Sequence, residues 1–215
     1  MPATDRPVDL VFDLDGTISD PSAGIAASIN HALAACGFAT VANANIHRWI
    51  GAPLEDALRS LSGDAAAVSA LVDAYRERYG RVGYAENELY PDARETLREL
   101  AKAGATMGVC TSKRADFAER ILELFEIRSL FEFVSGGDIG VTKASQLTAL
   151  KKQGAVDSTS IMIGDRDVDV SSAQANGMRA VGVAWGFAAP GELEQAGALR
   201  VLGDPRELRQ LYSGS

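Results

Sequence analysis

The sequence predicts an α/β fold, a doubly wound parallel sheet with a small inserted α-helical domain, and two observations carry that expectation. Short apolar runs at residues 8–14, 106–110, 131–134, 160–163, 180–184 and 200–202 alternate with amphipathic stretches, the pattern of strands joined by crossover helices. Between the first two runs lies an alanine-rich segment, about residues 22–84, with few strand-like stretches. The first run is β-branched and apolar and ends in Asp13-Leu14-Asp15-Gly16-Thr17, so it reads as a buried strand running into a polar loop. The alanine-rich segment is broken at Gly37, Gly51-Ala52-Pro53 and Gly63 and reads as four or so helices. Pro91-Asp92-Ala93-Arg94 opens a further helix through Lys102, with proline in the first turn and Gly104 just past the end. Later helices are expected at about 116–125, 143–153, 168–176 and 205–211. The expected division is therefore an α/β core of residues 1–18 and 86–215 and a helical domain of residues 19–85. In such sheets ligands bind outside the carboxyl ends of the strands.

Composition narrows the partners. The 215 residues carry 21 Lys+Arg against 29 Asp+Glu, a formal charge of −8, which disfavours a broad nucleic-acid footprint. A 47% hydrophobic content supports a packed core rather than disorder. The two cysteines, Cys36 and Cys110, are far apart and in no Cys-x-x-Cys pairing, so neither a disulfide framework nor a zinc cluster is expected, and a reduced, cytoplasmic chain is. The first residues lack a basic segment followed by an apolar one, and no stretch approaches the roughly 18 apolar residues of a membrane span. A small-molecule ligand and a monomer or homodimer are the expectation, with no nucleic-acid or membrane partner.

Four clusters could carry chemistry, each at a strand end. Asp13 and Asp15 lie two apart, and in an extended segment such side chains share a side, so two carboxylates converge unless a turn separates them. Their mutual repulsion is relieved by a cation, and magnesium held by carboxylates and a substrate phosphate suits the spacing. In Gly164-Asp165-Arg166-Asp167-Val168-Asp169, Asp165 and Asp169 are four apart and fall on one face of a helix start. Helix capping accounts for one or two acids there, not three. Thr111 and Ser112 end a strand in two hydroxyls that suit a phosphate. Lys143 opens a helix after a glycine-rich loop, a place where the helix dipole gives a cation nothing.

In this order, Asp13-Leu14-Asp15-Gly16-Thr17, Thr111-Ser112, Lys143 and Gly164-Asp165-x-x-x-Asp169 resemble the four motifs of the haloacid dehalogenase-like hydrolase superfamily across nearly the whole chain. The helical insertion resembles the type with a small α-helical cap. Residues 131–138 and Gly51-x-Pro53-Leu54 are similar to the phosphoglycolate phosphatase-like branch. The resemblance implies a Rossmann-like core and a phosphatase that forms an aspartyl-phosphate. Asp13 is implied as nucleophile and Asp15 as general acid and base, while Thr111, Ser112 and Lys143 would hold phosphate. Magnesium is implied on Asp13, the backbone carbonyl of Asp15 and Asp165, with Asp169 ordering its water shell. The cap is expected to close over substrate and choose the leaving group.

The implied substrate is a small phosphate ester, 2-phosphoglycolate first, a 5′-nucleotide or pyrophosphate next. Two departures shape that expectation. Ala144 follows the motif lysine where many relatives have proline, and Gly51-Ala52-Pro53-Leu54 lacks the arginine usual in phosphosugar mutases. Asp15 itself argues against a dehalogenase and against a non-catalytic receiver-like phospho-acceptor, neither of which needs it. His31, His47, Trp49, Tyr75, Tyr79 and Tyr84 could meet substrate from the helical domain, although histidines and aromatics on helices more often serve packing. Arg114 and Arg166 could steer an anion, and Cys110 reads as packing.

Overall fold

The structure is a computed structural model and describes residues 7–42, 46, 49–50, 54–138 and 140–212. The chain forms two compact units, Met1–Ser19 with Leu89–Ser215, and Asp20–Glu88. It opens with β1 (Leu10–Phe12), and β2 (Ser19–Asp20) follows. The inserted unit holds α1 (Ser22–Ala35), α2 (Leu54–Ser62), α3 (Val68–Arg81) and a 3-10 turn at Gly83–Ala85. After β3 (Glu88–Leu89), which pairs with β2, the first unit resumes with α4 (Ala93–Lys102), β4 (Met107–Arg114) and α5 (Ala115–Leu124). The remaining elements are β5 (Val134–Gly137), α6 (Lys143–Lys152), β6 (Ile161–Gly164), α7 (Asp167–Ala175), β7 (Arg179–Val183), α8 (Glu192–Gln195) and β8 (Val201–Leu202).

Six strands form one sheet in the order β5-β4-β1-β6-β7-β8, and every neighbouring pair is parallel. All carboxyl ends therefore lie along one edge. The chain leaves β1 toward β4 and β5, then crosses back to β6, β7 and β8, which places the reversal of strand order at β1 and opens a crevice there. Leu10, Val11 and Phe12 are buried because helices cover both faces of a parallel sheet. On one side Val11, Cys110 and Met162 pack with Leu147 and Leu150 of α6 and Val170 and Ala173 of α7. Phe12 meets Phe131 edge to face, with ring centres 6.2 Å apart. The register sets Phe12 beside Val109 and Ile163, so Asp13, Cys110 and Gly164 come next at one level.

Several elements differ from expectation. β4 continues to Arg114, because its polar end regains pairing with β5 at Gly137 after an irregularity beyond Cys110. The expected strand at 131–134 begins only at Val134. Before it, Arg128 bonds Glu119 and the Phe131 carbonyl, tying a 3-10 turn at Arg128–Leu130 to α5. Residues Pro205–Leu211 form a 3-10 helix rather than an α-helix, started by Asp204, which accepts from the Arg206 N–H at 2.8 Å. The inserted unit has three α-helices among its described residues. Its core is Ile29 and Leu33 of α1 with Leu58, Leu71 and Val72, and Asn30 locks the following loop through both polar groups of the Val41 backbone, at 2.9 and 2.8 Å.

Candidate active site

The site is built where β1 ends. The Asp13 N–H donates to the Ile163 carbonyl at 2.8 Å, which continues the pairing with β6 by one residue and fixes where the Asp13 side chain emerges. The chain then turns tightly, with the N–H groups of Ile18 and Ser19 donating to the Leu14 carbonyl at 2.9 and 3.1 Å. Gly16 is required twice over: its φ is +86°, and a Cβ there would stand 2.1 Å from Asp165 Oδ2.

The two acids of this segment have different partners. Asp13 is buried, and its Oδ2 lies 3.1 Å from Lys143 Nζ. Asp15 reaches the other way, with Oδ2 2.8 Å from Lys113 Nζ. Burial pushes the Asp15 carboxyl above the usual carboxylate range, against the pull of Lys113.

Lys143 is the first residue of α6. A capping box secures that helix start: Thr142 Oγ1 accepts from the Ser145 N–H at 3.2 Å, and Ser145 Oγ accepts from the Thr142 N–H at 3.1 Å. The lysine therefore enters the site from a fixed point. Its side chain is 1% exposed and pairs with both Asp13 and Asp169. Burial opposes the ammonium charge, but the two carboxylates outweigh it and hold the lysine protonated.

β6 supplies the remaining acids. Gly164 ends the strand, and a Cβ there would stand 2.2 Å from Asp169 Cγ, so glycine alone lets Asp169 fold back onto the strand end. Asp169 Oδ2 then accepts from the Arg166 N–H at 3.0 Å. Asp165 Oδ2 accepts from the Phe187 N–H at 2.8 Å, and Thr17 Oγ1 approaches its Oδ1 at 3.4 Å. Burial, with Asp13 and Asp169 adding to it, pushes the Asp165 carboxyl up to about 8.

Carboxylate oxygens of Asp13, Asp165 and Asp169 lie within 4.8 Å of one another. Asp13 Oδ1 and Asp15 Oδ1 are buried with no hydrogen-bond partner. Three converging acids with a stranded buried oxygen form a donor set that a divalent cation relieves. These residues fit a hard, oxygen-loving ion such as magnesium.

Thr111 is buried within β4, and its Oγ1 accepts from the Lys113 N–H at 3.2 Å. Ser112 alternates with it, and its side chain is exposed. Sequence reasoning missed two residues here. Lys113 follows Thr111 by two, so it stands on the same side of the strand. Gln146, one turn into α6 from Lys143, is buried; its Nε2 donates to the Thr111 carbonyl at 3.1 Å and its Oε1 accepts from Ser135 Oγ at 2.8 Å. A polar residue beside buried Leu147 and Leu150 was the available signal.

The other candidates are placed as follows. Cys110 is buried and its thiol is pushed up to about 12 by that burial. Arg114 is bidentate on Asp116 at 3.0 and 2.9 Å, and Arg166 Nε is 2.8 Å from Glu192. Tyr75 and Tyr79 stack on each other at 5.4 Å within the helical unit. His31 and Tyr84 are partly buried there, as is Trp49. His47 and Gly51-Ala52-Pro53 lie outside the described residues.

Comparison with known proteins agrees with this arrangement. The profile of the haloacid dehalogenase-like hydrolase family matches residues 10–183. The chain is 34% identical over 187 residues to the tyrosine-protein kinase PtkA of Mycobacterium tuberculosis, an alignment covering 85% of this chain and 64% of that protein's length. The solved structure of PtkA superposes with a TM-score of 0.81 and 28% identity, over 98% of this chain and 100% of that one. A 5′-nucleotidase of Pseudomonas aeruginosa is 32% identical, with 94% of each chain covered. A phosphoglycolate phosphatase of Pectobacterium atrosepticum is 32% identical, covering 83% of this chain and 80% of that one. A parallel sheet with acids at the ends of β1 and β6, and a profile match spanning most of its length, make this chain a member of the haloacid dehalogenase-like hydrolase family.

Proposed function

We propose that this chain is a magnesium-dependent phosphatase that hydrolyses a small phosphorylated metabolite through an aspartyl-phosphate, with 2-phosphoglycolate as the first candidate substrate. The observation that carries this reading is the unequal treatment of two neighbouring carboxylates. Asp13, the nucleophile, has its Oδ2 3.1 Å from the Lys143 ammonium, which fixes it at the phosphoryl end. Asp15 is held in a site whose burial favours the protonated form, which a general acid needs.

The roles follow. A carboxylate oxygen of Asp13 attacks phosphorus, forming an oxygen–phosphorus bond as the bond to the ester oxygen breaks. Asp15 gives its proton to that oxygen, and the alcohol leaves. Asp15, now a carboxylate, takes a proton from water, whose oxygen attacks the same phosphorus and releases inorganic phosphate with Asp13 restored. Lys143 and the hydroxyl and amide groups at Thr111 and Ser112 hold the phosphoryl oxygens. Asp13, Asp165 and the Asp15 carbonyl would hold magnesium, with Asp169 behind them, and the ion would neutralise charge on the transferring group.

The relatives bear on the leaving group. Phosphoglycolate phosphatases and a 5′-nucleotidase both align at 32% identity or close to it, so a nucleoside monophosphate is the second reading. No helix among the described residues is long and apolar enough to cross a membrane, and Cys36 and Cys110 are free thiols, which supports a reduced, cytoplasmic setting. The test is a panel of phosphorylated metabolites at fixed magnesium, with a chelator as control. Turnover that vanishes with chelator and peaks on phosphoglycolate is the expected result. Equal rates with and without metal remove the mechanism, and a nucleotide preference replaces the substrate.

A further inference from the structure

The mechanism above leaves unused the turn that follows β7, Trp185-Gly186-Phe187. All three residues meet the site. The Phe187 N–H donates to Asp165 Oδ2 at 2.8 Å. The Trp185 indole N–H donates to the Thr17 carbonyl at 3.0 Å, and its ring meets Tyr90 edge to face with centres 6.5 Å apart. The Tyr90 N–H in turn donates to the Ile18 carbonyl at 3.2 Å, so the loop after Asp15 is held at two successive carbonyls. Gly186 lies between the Trp185 and Phe187 anchors. Its φ is outside the left-handed region, so the backbone there does not call for glycine. Space does: a Cβ would stand 2.4 Å from Asp165 Cβ and 2.4 Å from the Gly16 carbonyl oxygen.

Asp165 is fully buried, and like charge on Asp13 and Asp169 pushes against it. An acid so placed serves a cation well when its surroundings fix its position. Here the Phe187 N–H holds one oxygen, and the backbones of Gly16 and Gly186 press on the side chain with no room for a Cβ. The same turn holds the backbone of Gly16 and Thr17, next to the Asp15 carbonyl. Two of the groups assigned to magnesium are therefore set by one turn. Beyond it, Glu192 accepts from the Ala189 N–H at 2.9 Å and the Asp167 N–H at 3.0 Å, which ties this stretch to the start of α7, the helix that carries Asp169. Resting on the magnesium-dependent phosphatase reading above, we propose that Trp185-Gly186-Phe187 is a positioning segment that sets the affinity of the site for magnesium by holding Asp165 and the Asp15 carbonyl at one spacing. Groups that orient metal ligands without touching the metal govern its affinity by about 10- to 100-fold.

The test is a calorimetric titration of magnesium into metal-free protein, read as the dissociation constant rather than as turnover. Gly186→Ala should weaken binding by about 10- to 100-fold. Trp185→Phe keeps a ring against Tyr90 and removes only the indole donor, so it should weaken binding by about tenfold, the lower end of that range. The control is Ser160→Ala, at the entry to β6, whose far end leads to Asp165; it removes a hydroxyl bonded to the Val8 carbonyl at 2.7 Å. That variant should lower the melting temperature and leave the dissociation constant at the wild-type value. Equal weakening in Ser160→Ala would reduce the effect of the segment to a general loss of stability and overturn the proposal. Wild-type affinity in both segment variants overturns it as well, and if Gly186→Ala does not fold, Trp185→Phe decides alone. A wild type that binds no magnesium fails the metal reading itself, and this proposal with it, whereas a binding wild type with unchanged variants removes the role of the segment alone.

Discussion

β1 carries an aspartate just before it and another just after, and the two ends of the strand treat them in opposite ways. At the entry, Asp9 Oδ2 accepts from the N–H and the hydroxyl of Thr106 at 2.8 and 2.9 Å, while Thr106 Oγ1 accepts in turn from the Asp9 N–H at 3.2 Å. Beside it Ser160 Oγ donates to the Val8 carbonyl at 2.7 Å. These polar groups tie β1 to β4 and β6. At the exit, Asp13 faces two other acids and keeps an oxygen with no hydrogen-bond partner. Satisfied polar groups near a sheet edge secure the strands, whereas crowded, half-satisfied ones are maintained against stability for what they do. The difference separates a structural end of the sheet from a chemical one.

The largest expected effect tests that separation directly. Asp13→Asn should lower turnover by about 10⁴-fold or more, because the amide is no nucleophile. Its melting temperature should stay level or rise, since one of three mutually repelling acids is gone. Asp9→Ala should do the reverse, costing about 1–3 kcal/mol of stability as a Thr106 donor loses its acceptor, with turnover per folded molecule unchanged. Steady-state kinetics and thermal melts on the two variants decide it; a large loss of stability in Asp13→Asn would erase the distinction between the ends. Next in size, Asp15→Asn should reduce turnover by about 10²–10⁴-fold, the range for a general acid and base.

The chemical end was the more legible in sequence. Acids following apolar runs, at Asp13, Asp15, Asp165 and Asp169, announce themselves because nothing local explains so many charges there. Lys143 is legible for the same reason, as a cation at the wrong end of a helix. The entry network was not read, since Asp9 and Thr106 are 97 residues apart and nothing in either neighbourhood marks the partner. Gln146 is similar: it reaches Thr111 across 35 residues and Ser135 across 11. The strand period did contain more than was taken from it. Thr111 and Lys113 on one side and Ser112 on the other follow from alternation once β4 is allowed to run on to Arg114. That run was hidden because Lys113 and Arg114 resemble the polar start of a helix.

Gln146 offers a smaller effect that sharpens the comparison, because it brings structural bonding to the chemical end. One amide holds the Thr111 carbonyl and the Ser135 hydroxyl from the helix that carries Lys143. Gln146→Leu keeps the bulk and removes both bonds, leaving the buried Thr111 carbonyl and the half-buried Ser135 hydroxyl without this partner at a cost of about 1–3 kcal/mol. As a positioning residue it should also lower kcat/KM by roughly 10- to 100-fold, since phosphoryl oxygens tolerate little displacement of the groups that hold them. Gln146→Glu restores an acceptor for Ser135 but not the donor for Thr111, so it should recover part of the stability and little of the rate. Unchanged stability and rate in Gln146→Leu would mean that Gln146 serves packing alone.

The smallest effect concerns what the chemical end does to stability without metal. The Asp165 carboxyl, pushed up to about 8 by burial and by Asp13 and Asp169, keeps its proton in the folded chain where an unfolded one has lost it at about 4. Its contribution is fully present below pH 4 and is lost as pH rises toward 8. Asp169, pushed up to about 6 by burial despite Lys143, adds the same sign. The acids with lowered values, Asp157, Glu192 and Asp204, act oppositely, but their contribution is lost only as pH falls below the ordinary carboxylate range. Lys143 is raised and stays charged throughout, so it contributes no slope between pH 5 and 8. Metal-free protein should therefore melt at progressively lower temperature from pH 5 to 8, and Asp165→Asn should flatten that decline. Magnesium binds the ionised cluster and releases its protons, so the gain in melting temperature on adding it should widen over the same interval. At a hundred times its dissociation constant the ion adds about 2.7 kcal/mol. A magnesium-induced gain that is constant with pH would mean that the ion does not sit among these acids.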